Sequence, residues 1–491
     1  MFLGIDIGSG GTKVILLNKE GKMIGSAEVS YSFDVPKEGW TEHDPEEWWI
    51  ATTKALKTLF INNDSSNIEA IGVTGQMHSS VLLDLNGQII RKAILWNDQR
   101  TELECKEVLN QIGEERFRSF TMNTLFPGFT IPKIIWLKKN EPENYKKITT
   151  IFMPKDFINY KLTGVIATDV TDASGTGIFD VYNRKWNKNL IDGLGLEPEW
   201  FPPVYESIEV IGKLESSVAD TLGLKEGIPV VAGAADNAAA AIGNGVFNEN
   251  KGLISVGTSG VVLVPINNRP AKELLTKTNS SLHIFCHALP NTWYAMGVTL
   301  TAGESLKWFR EAFELEESYE NLILNAKDVE VGSNGLIFTP YLSGERTPHN
   351  DSTARGSFNG MNLTHRKGHF VRAILEGVSY SLKDCHDLIK NIAHPESFVI
   401  TGGAIKSEYW SHILSDVLGV MLKKSTQFEG PAIGAAILAG MGIRHWKAPD
   451  EVTNGVEEVI INPNTEHYFL YKNIFKKYQD LYERLSQNNV T

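Results

Sequence analysis

Two aspartates in this chain stand beside runs of glycine or alanine. Asp6 comes just before Gly8-Ser9-Gly10-Gly11-Thr12-Lys13, and Asp236 follows Val231-Ala232-Gly233-Ala234-Ala235 and precedes Asn237-Ala238-Ala239. Successive turn amides can cradle anionic oxygens, and glycine lets the backbone approach them closely. An acid beside such a turn suits Mg2+, which takes oxygen ligands and keeps several waters. An acid among small neighbours leaves room for a hydroxyl whose proton it could accept. Each residue also has a plainer reading. Asp6 is then an acid at a strand end, Lys13 a solvated lysine, and Asp236 the N-cap of a helix starting at Asn237.

The glycine turn recurs. Leu253-Ile254-Ser255-Val256 leads into Gly257-Thr258-Ser259-Gly260, with Val261-Val262-Leu263-Val264 after it; Gly8 and Gly257 lie 249 residues apart in a chain of 491. Two opposed turns of this kind can clamp a polyphosphate, so the spacing predicts two domains built on one pattern. A third place, Val399-Ile400-Thr401-Gly402-Gly403-Ala404, reads as a strand, a turn and then a helix from about Ser407. There glycine either meets a flat ligand or supplies a positive φ. Met77 and His78 follow the short apolar segment Ala70-Ile71-Gly72-Val73. A strand's C-terminal end is where α/β proteins bind ligands, and an imidazole can hydrogen-bond sugar hydroxyls.

These residues need a scaffold of strands and helices. Residues 2–7, 14–17 and a third strand from Met23 form an antiparallel meander, and strands and helices alternate afterwards, so the class is α/β. Asp44-Pro45-Glu46-Glu47 predicts a helix start, with Asp44 as N-cap, Pro45 in the first position and Glu47 completing a capping box. Trp48-Trp49 reads as core. A small-residue helix begins near Glu429-Gly430-Pro431, and residues 475–485 read as a polar terminal helix.

Composition narrows the partners. With 47 basic and 59 acidic side chains the net charge is −12, which argues against nucleic acid and anionic membranes as partners. Cys105, Cys286 and Cys385 form no disulfide or zinc spacing, and no apolar run approaches the ~18–20 residues of a bilayer span. The expected setting is cytoplasmic.

The chain resembles the FGGY carbohydrate kinases. Gly128-Phe129-Thr130-Ile131-Pro132-Lys133-Ile134-Ile135-Trp136-Leu137-Lys138-Lys139-Asn140 matches one family signature. Gly356-Ser357-Phe358-Asn359-Gly360-Met361 with His369-Phe370-Val371-Arg372-Ala373-Ile374-Leu375-Glu376 matches the other. Gln76-Met77-His78, Leu95-Trp96-Asn97-Asp98-Gln99-Arg100, Met153-Pro154-Lys155-Asp156 and residues 341–349 are similar to the members that act on D-xylulose. Ser79, the Gly8–Gly11 turn and Ala234-Ala235 depart from the usual pattern.

The resemblance implies a duplicated actin-like (RNase H-like) α/β fold, with a cleft between residues 1–245 and 246–491. The terminal helix is expected to pack back on the first domain. It implies ATP-dependent phosphorylation of D-xylulose in pentose catabolism, with Asp236 as general base, held ionised at a helix N-terminus, and with Asp6 catalytic and on Mg2+. Met77, His78 and Asn237 would bind sugar. Gly8, Thr12, Lys13, Gly257, Thr258, Gly402, Gly403 and Ala404 would bind nucleotide. A homodimer accords with the family's habit. Trp96, Asp98, Arg100, Glu345 and Arg346 are left between buttress, ion pair and ligand contact. The rivals are a kinase of gluconate, ribulose or another ketose, and a non-catalytic sugar-responsive actin-like protein.

Overall fold

The computed structural model describes residues 1–267, 270, 281–403, 406–425 and 430–486. Two large mixed sheets organise the chain. The first runs, in spatial order, Val210–Lys213, Pro229–Val231, Ala70–Gly75, Phe2–Ile7, Gly11–Leu17 and Met23–Ser30, with Ala234–Ala235 also pairing Ala70–Gly75. The second runs His283–Cys286, Trp293–Thr299, Gly260–Ile266, Lys251–Val256, Ser397–Thr401, Met421–Ser425 and Glu458–Ile461.

The duplication holds for most of each sheet. Each has a run of antiparallel strands, three in the first sheet and four in the second, then two parallel strands, then an antiparallel edge. In both, the glycine turn joins the first two strands of the antiparallel run. The 249-residue repeat therefore reflects equivalent hairpins. Antiparallel neighbours need only short turns, whereas the parallel strands are reached through helical crossovers.

The helix at Pro45–Leu59 starts as expected: Asp44 is the N-cap and its side chain accepts the Glu46 N–H. Glu47 completes no capping box, because its carboxylate is paired with His43. Trp48 is fully buried and Trp49 partly so. The helix after Gly402-Gly403 runs Glu408–Leu418 with Ser407 as its N-cap.

The terminal helix is a correction. Thr465–Ser486 packs on the second domain, burying Tyr471, Phe475, Tyr478 and Leu481 in that domain's core. Tyr471 and Tyr478 also bond there, to Glu376 and Tyr341. The segment that returns to the first domain is the small-residue helix Pro431–Gly442. A methyl built on Gly4 would lie 1.9 Å from the Ala432 carbonyl oxygen, and one on Gly72 2.0 Å from that of Ala435. Side chains would hold this helix off the sheet; glycine on the strands and alanine on the helix let the backbones touch. The same helix packs on Asp236–Gly243, so one core includes Ala235 and Ala239 together with Leu253 and Tyr294 of the second sheet.

Candidate active site

Strand register brings the first-half residues together. Gly75 pairs with Ile7 on one side and with Ala235 on the other. The chain therefore leaves the sheet at Gly8, Gln76 and Asp236 side by side, at the carboxyl ends of parallel strands. In the second half Ser255 pairs with Thr401 in parallel, so Gly257 and Gly402 leave that sheet as neighbours.

Asp6 sits opposite Lys13 in the meander. Burial pushes its carboxyl up to about 8, Asp236 adds to the rise, and Lys13 opposes it. Asp236 is the first residue of the helix Asp236–Gly243, and its N-cap is Ala235. The N-cap reading is therefore wrong by one residue. Burial raises Asp236 to about 6, against the pull of two bonds from Asn237. The Asn237 backbone N–H and side-chain amide both donate to Asp236 Oδ1, at 2.7 and 2.9 Å. Asp236 thus titrates near neutrality rather than being firmly ionised, because loss of water outweighs the helix end. Asn237 gives one amide hydrogen to Asp236; its second hydrogen and its oxygen leave the expected sugar contact open.

His78 holds a positive φ of 68°, unusual for a non-glycine residue. Its Nδ1 lies 2.7 Å from the Gly175 carbonyl oxygen and its ring stacks on Phe129. A carbonyl accepts, so Nδ1 carries the proton. Burial, with Lys133 and Arg346 nearby, holds the ring neutral, its pKa down to about 3. Nε2 is then an acceptor, suited to a hydroxyl. Lys133 donates to the carbonyl oxygens of His78 and Gly128, at 2.9 and 2.8 Å, and so clamps the strained segment. Met77 is buried beside it.

The first turn is held from below. The Tyr31 hydroxyl donates to the Gly8 carbonyl oxygen at 2.7 Å, and the Thr12 hydroxyl faces Tyr31. Trp96 donates to the Ser9 hydroxyl at 2.9 Å, and Ser9 donates to Gln76. Ser9 therefore ties the first glycine turn both to Trp96 and to Gln76, at the end of Ala70–Gly75. Asp98 and Arg100 are buttress residues: Arg100 pairs with Asp98 and Glu42 and lies 3.8 Å from the centre of the Trp40 ring, and Asp98 accepts the Thr41 N–H.

A cavity of about 980 Å³ opens in the second half, within the size range of small-molecule sites. Gly257, Thr258 and Gly403 line it, with Lys406, Tyr319 and Tyr409. Gly402 serves the backbone instead. Its φ is 101°, and a methyl there would lie 2.5 Å from the Val256 carbonyl oxygen. Ala404 lies outside the described residues.

Sequence reasoning gave no role to Lys155. Its ammonium lies 2.5 Å from Asp156, 3.3 Å from Asp169 and 3.5 Å from Asp172, all of them buried. Burial works against this charge, but the three acids outweigh it and hold the lysine above its usual range. Lys155 and Asn159 also donate to the Ala232 carbonyl oxygen, and the Thr171 hydroxyl accepts the Ala235 N–H at 2.7 Å. The network thus fixes the backbone leading to Asp236. The Met153-Pro154-Lys155-Asp156 run was its visible signal; that its charges meet Asp169 and Asp172 was not.

Twin sheets with a glycine turn on each, two interacting acids and a nucleotide-sized cavity define an actin-like sugar kinase. The model of the FGGY carbohydrate kinase N-terminal domain matches residues 1–243, and that of the C-terminal domain matches residues 252–443. A xylulose kinase of Staphylococcus epidermidis is 38% identical over 99% of this chain and 97% of its own. A ligand-bound xylulose kinase from Lactobacillus acidophilus superposes with a TM-score of 0.92 at 26% identity, covering 99% of this chain and 98% of its own. A gluconate kinase from the same organism also gives 0.92 at 26%, covering 98% and 97%. This chain belongs to the FGGY family of carbohydrate kinases, and it is an ATP-dependent enzyme.

Proposed function

We propose that the enzyme phosphorylates D-xylulose on its 5-hydroxyl, in pentose catabolism. The sugar assignment rests on the near full-length identity to a xylulose kinase. Superposition alone does not choose, since a gluconate kinase fits equally well.

The observation that carries the mechanism is Asp236 at the mouth of the parallel strands, with a pKa of about 6 and both Asn237 donors on one oxygen. At neutral pH it is mostly a carboxylate, and its other oxygen is free of those bonds. The sugar oxygen attacks the γ-phosphorus, the bond to the ADP oxygen breaks, and the hydroxyl proton passes to Asp236 as charge builds. His78 Nε2 accepts from another hydroxyl and orients the chain. The phosphates would lie between the turn at Gly8 and Lys13 and that at Gly257, Thr258 and Gly403, whereas Thr12, fully buried with its hydroxyl on Tyr31, supports the first turn from behind.

Mg2+ fits Asp6. No group of three potential His, Cys, Asp or Glu ligands occurs among the described residues, and Mg2+ bound with ATP needs only one or two carboxylates. It would neutralise phosphate charge. Asp6, held protonated by its surroundings, would give up its proton to receive it.

Water competes with the sugar as nucleophile, so sugar-driven closure should precede transfer. The test is a panel of ketoses, sugar acids and polyols, with ATP turnover also measured without sugar. D-Xylulose should give the highest kcat/KM, and ATP turnover without sugar should be far slower. Preference for gluconate or ribulose would replace the substrate. Equal ATP turnover with and without sugar would favour an actin-like ATPase.

A further inference from the structure

Arg346 is a partly buried cation whose side chain has no protein partner among the described residues. Its guanidinium makes no hydrogen bond or ion pair among the described residues; the Arg346 backbone N–H donates to Glu345, and its carbonyl accepts from Asn350. The ion pair with Glu345 left open by the sequence does not form. Glu345 uses its carboxylate on the backbone N–H groups of Leu300 and Arg346 and on the Ser381 hydroxyl. An arginine carries five donors and keeps its charge, so donors left without a protein acceptor are open to a ligand.

The loop around it is pinned. Thr347 exchanges bonds with Val298 in both directions, at 3.0 and 3.1 Å, and its hydroxyl donates to Ser281. Arg346 therefore projects from the second half at a fixed place. Its guanidinium lies 5.2 Å from the centre of the Phe126 ring, and one nitrogen lies 3.6 Å from where a methyl on Gly128 would stand. Its charge acts on both His78 and His283. The neighbours from the first half are thus sugar-side residues. None of these residues lines the nucleotide cavity.

A second observation points the same way. His283, 1% exposed, has no partner for either ring nitrogen among the described residues. It stacks on Phe285 and meets Phe126 edge-on at 4.9 Å. Burial, then Arg346 and His78, keep it neutral, with one nitrogen a donor and the other an acceptor.

We propose that Arg346 and His283 close the sugar site from the second half, opposite His78, with Arg346 donating to the carbonyl and hydroxyl oxygens at the end of the ketose away from Asp236. This rests on the sugar-kinase reading above. The forked donor reaches two neighbouring oxygens at once, and arginine donates only, so it suits an accept-only carbonyl oxygen beside a hydroxyl better than two alcohols, each of which carries a hydrogen of its own. It also gives the second half a direct hold on the sugar, so that sugar binding draws the halves together.

The test compares the wild type with Arg346→Gln, Arg346→Lys and His283→Phe on D-xylulose and on the polyols formed by reducing its carbonyl. R346Q should raise the ketose KM roughly 10- to 100-fold, the loss of a charged hydrogen bond. The KM for ATP should move less than about twofold, and the ketose-over-polyol preference in kcat/KM should shrink about as much as the ketose KM rises. H283F should raise the ketose KM by about fivefold or more. If R346Q does not fold, R346K carries the test: it keeps charge but loses the fork, and should still erode the ketose preference. An unchanged ketose KM and preference in folded Arg346 variants would overturn the proposal, as would a rise confined to the KM for ATP. If the wild type prefers another sugar, the xylulose assignment fails on its own, and the same variants on that sugar judge Arg346.

Discussion

The two halves share most of their topology but place the charges around their glycine turns in opposite ways. Behind the first glycine turn, Lys155, Asp156, Asp169 and Asp172 are all buried, and Asp6 and Asp236 both have raised pKa values. Around the cavity of the second half, the charges stand at the rim. Lys307 and Glu304 are paired there with exposures of 47% and 31%. The surroundings of the two glycine turns have thus diverged by burial, although the second half also buries charge elsewhere, as in the Arg372–Glu376 pair. Proton transfer needs carboxyls taken out of water so that their pKa values approach neutrality. Holding a nucleotide needs shape and backbone access, with little tuning of charge.

The comparison breaks most sharply at Lys155. Lys155→Met would leave three buried carboxylates without their cation, and losing one partner of such a group costs about 3–5 kcal/mol. Denaturant unfolding should show that loss. Lys307→Met, its counterpart at the rim of the second half, should change stability by less than about 1 kcal/mol. Similar losses at both sites would mean the halves are not charged differently in any way that matters.

Next comes Asp236. Asp236→Ala should lower kcat by at least ~100-fold, the low end for losing a general base, while the KM for ATP changes little. In the wild type kcat/KM should fall as pH drops through about 6, because protonation removes the base. A profile flat from about pH 5 to 8, or a nearly active D236A, would remove Asp236 from that role.

How much was legible follows the same division. Asp6, His78 and both glycine turns lie within short local runs, so residue order alone exposed them, and the repeat spacing exposed the twofold fold. The Lys155 network did not show, because it joins residues 155–156, 169–172 and 232, and only the fold buries them together. The bonds from Asn237 to Asp236 did not show either, because they depend on where the helix starts. The terminal helix was misplaced because amphipathicity says that a face is buried, not on what. The small-residue run near Pro431 was visible, but its consequence, backbone contact with Gly4 and Gly72, needs both partners.

Gly402 and Gly403 sharpen the second half's role. Gly402→Ala puts a methyl 2.5 Å from a carbonyl oxygen at positive φ, and should cost about 1–3 kcal/mol, in line with backbone strain. Gly403 has open space where a methyl would go and lines the cavity. Gly403→Ala should leave the melting temperature alone and raise the KM for ATP several-fold. If the two variants behave alike, that turn does not divide between fold and ligand.

At Asp6 the sign of the effect is the informative part. The unfolded carboxyl titrates near its ordinary 3.8, the folded one at about 8. Between those values the unfolded state binds fewer protons, so stability falls as pH rises through that window. Below about pH 3 both states are protonated and the group costs almost nothing. Asp6→Asn keeps the shape without the charge. Without ligand it should therefore raise the melting temperature by a few degrees at about pH 8 and leave it unchanged at about pH 3, while activity is lost. Calorimetry in buffers of different ionisation enthalpy should show that Mg2+ and nucleotide release close to one proton per site at about pH 7 in the wild type and far less in the variant. A melting temperature lowered at about pH 8, or equal proton release, would mean that Asp6 is already ionised before any ligand arrives. The cleft would then be wetter than its geometry implies, and the contrast between the halves correspondingly weaker.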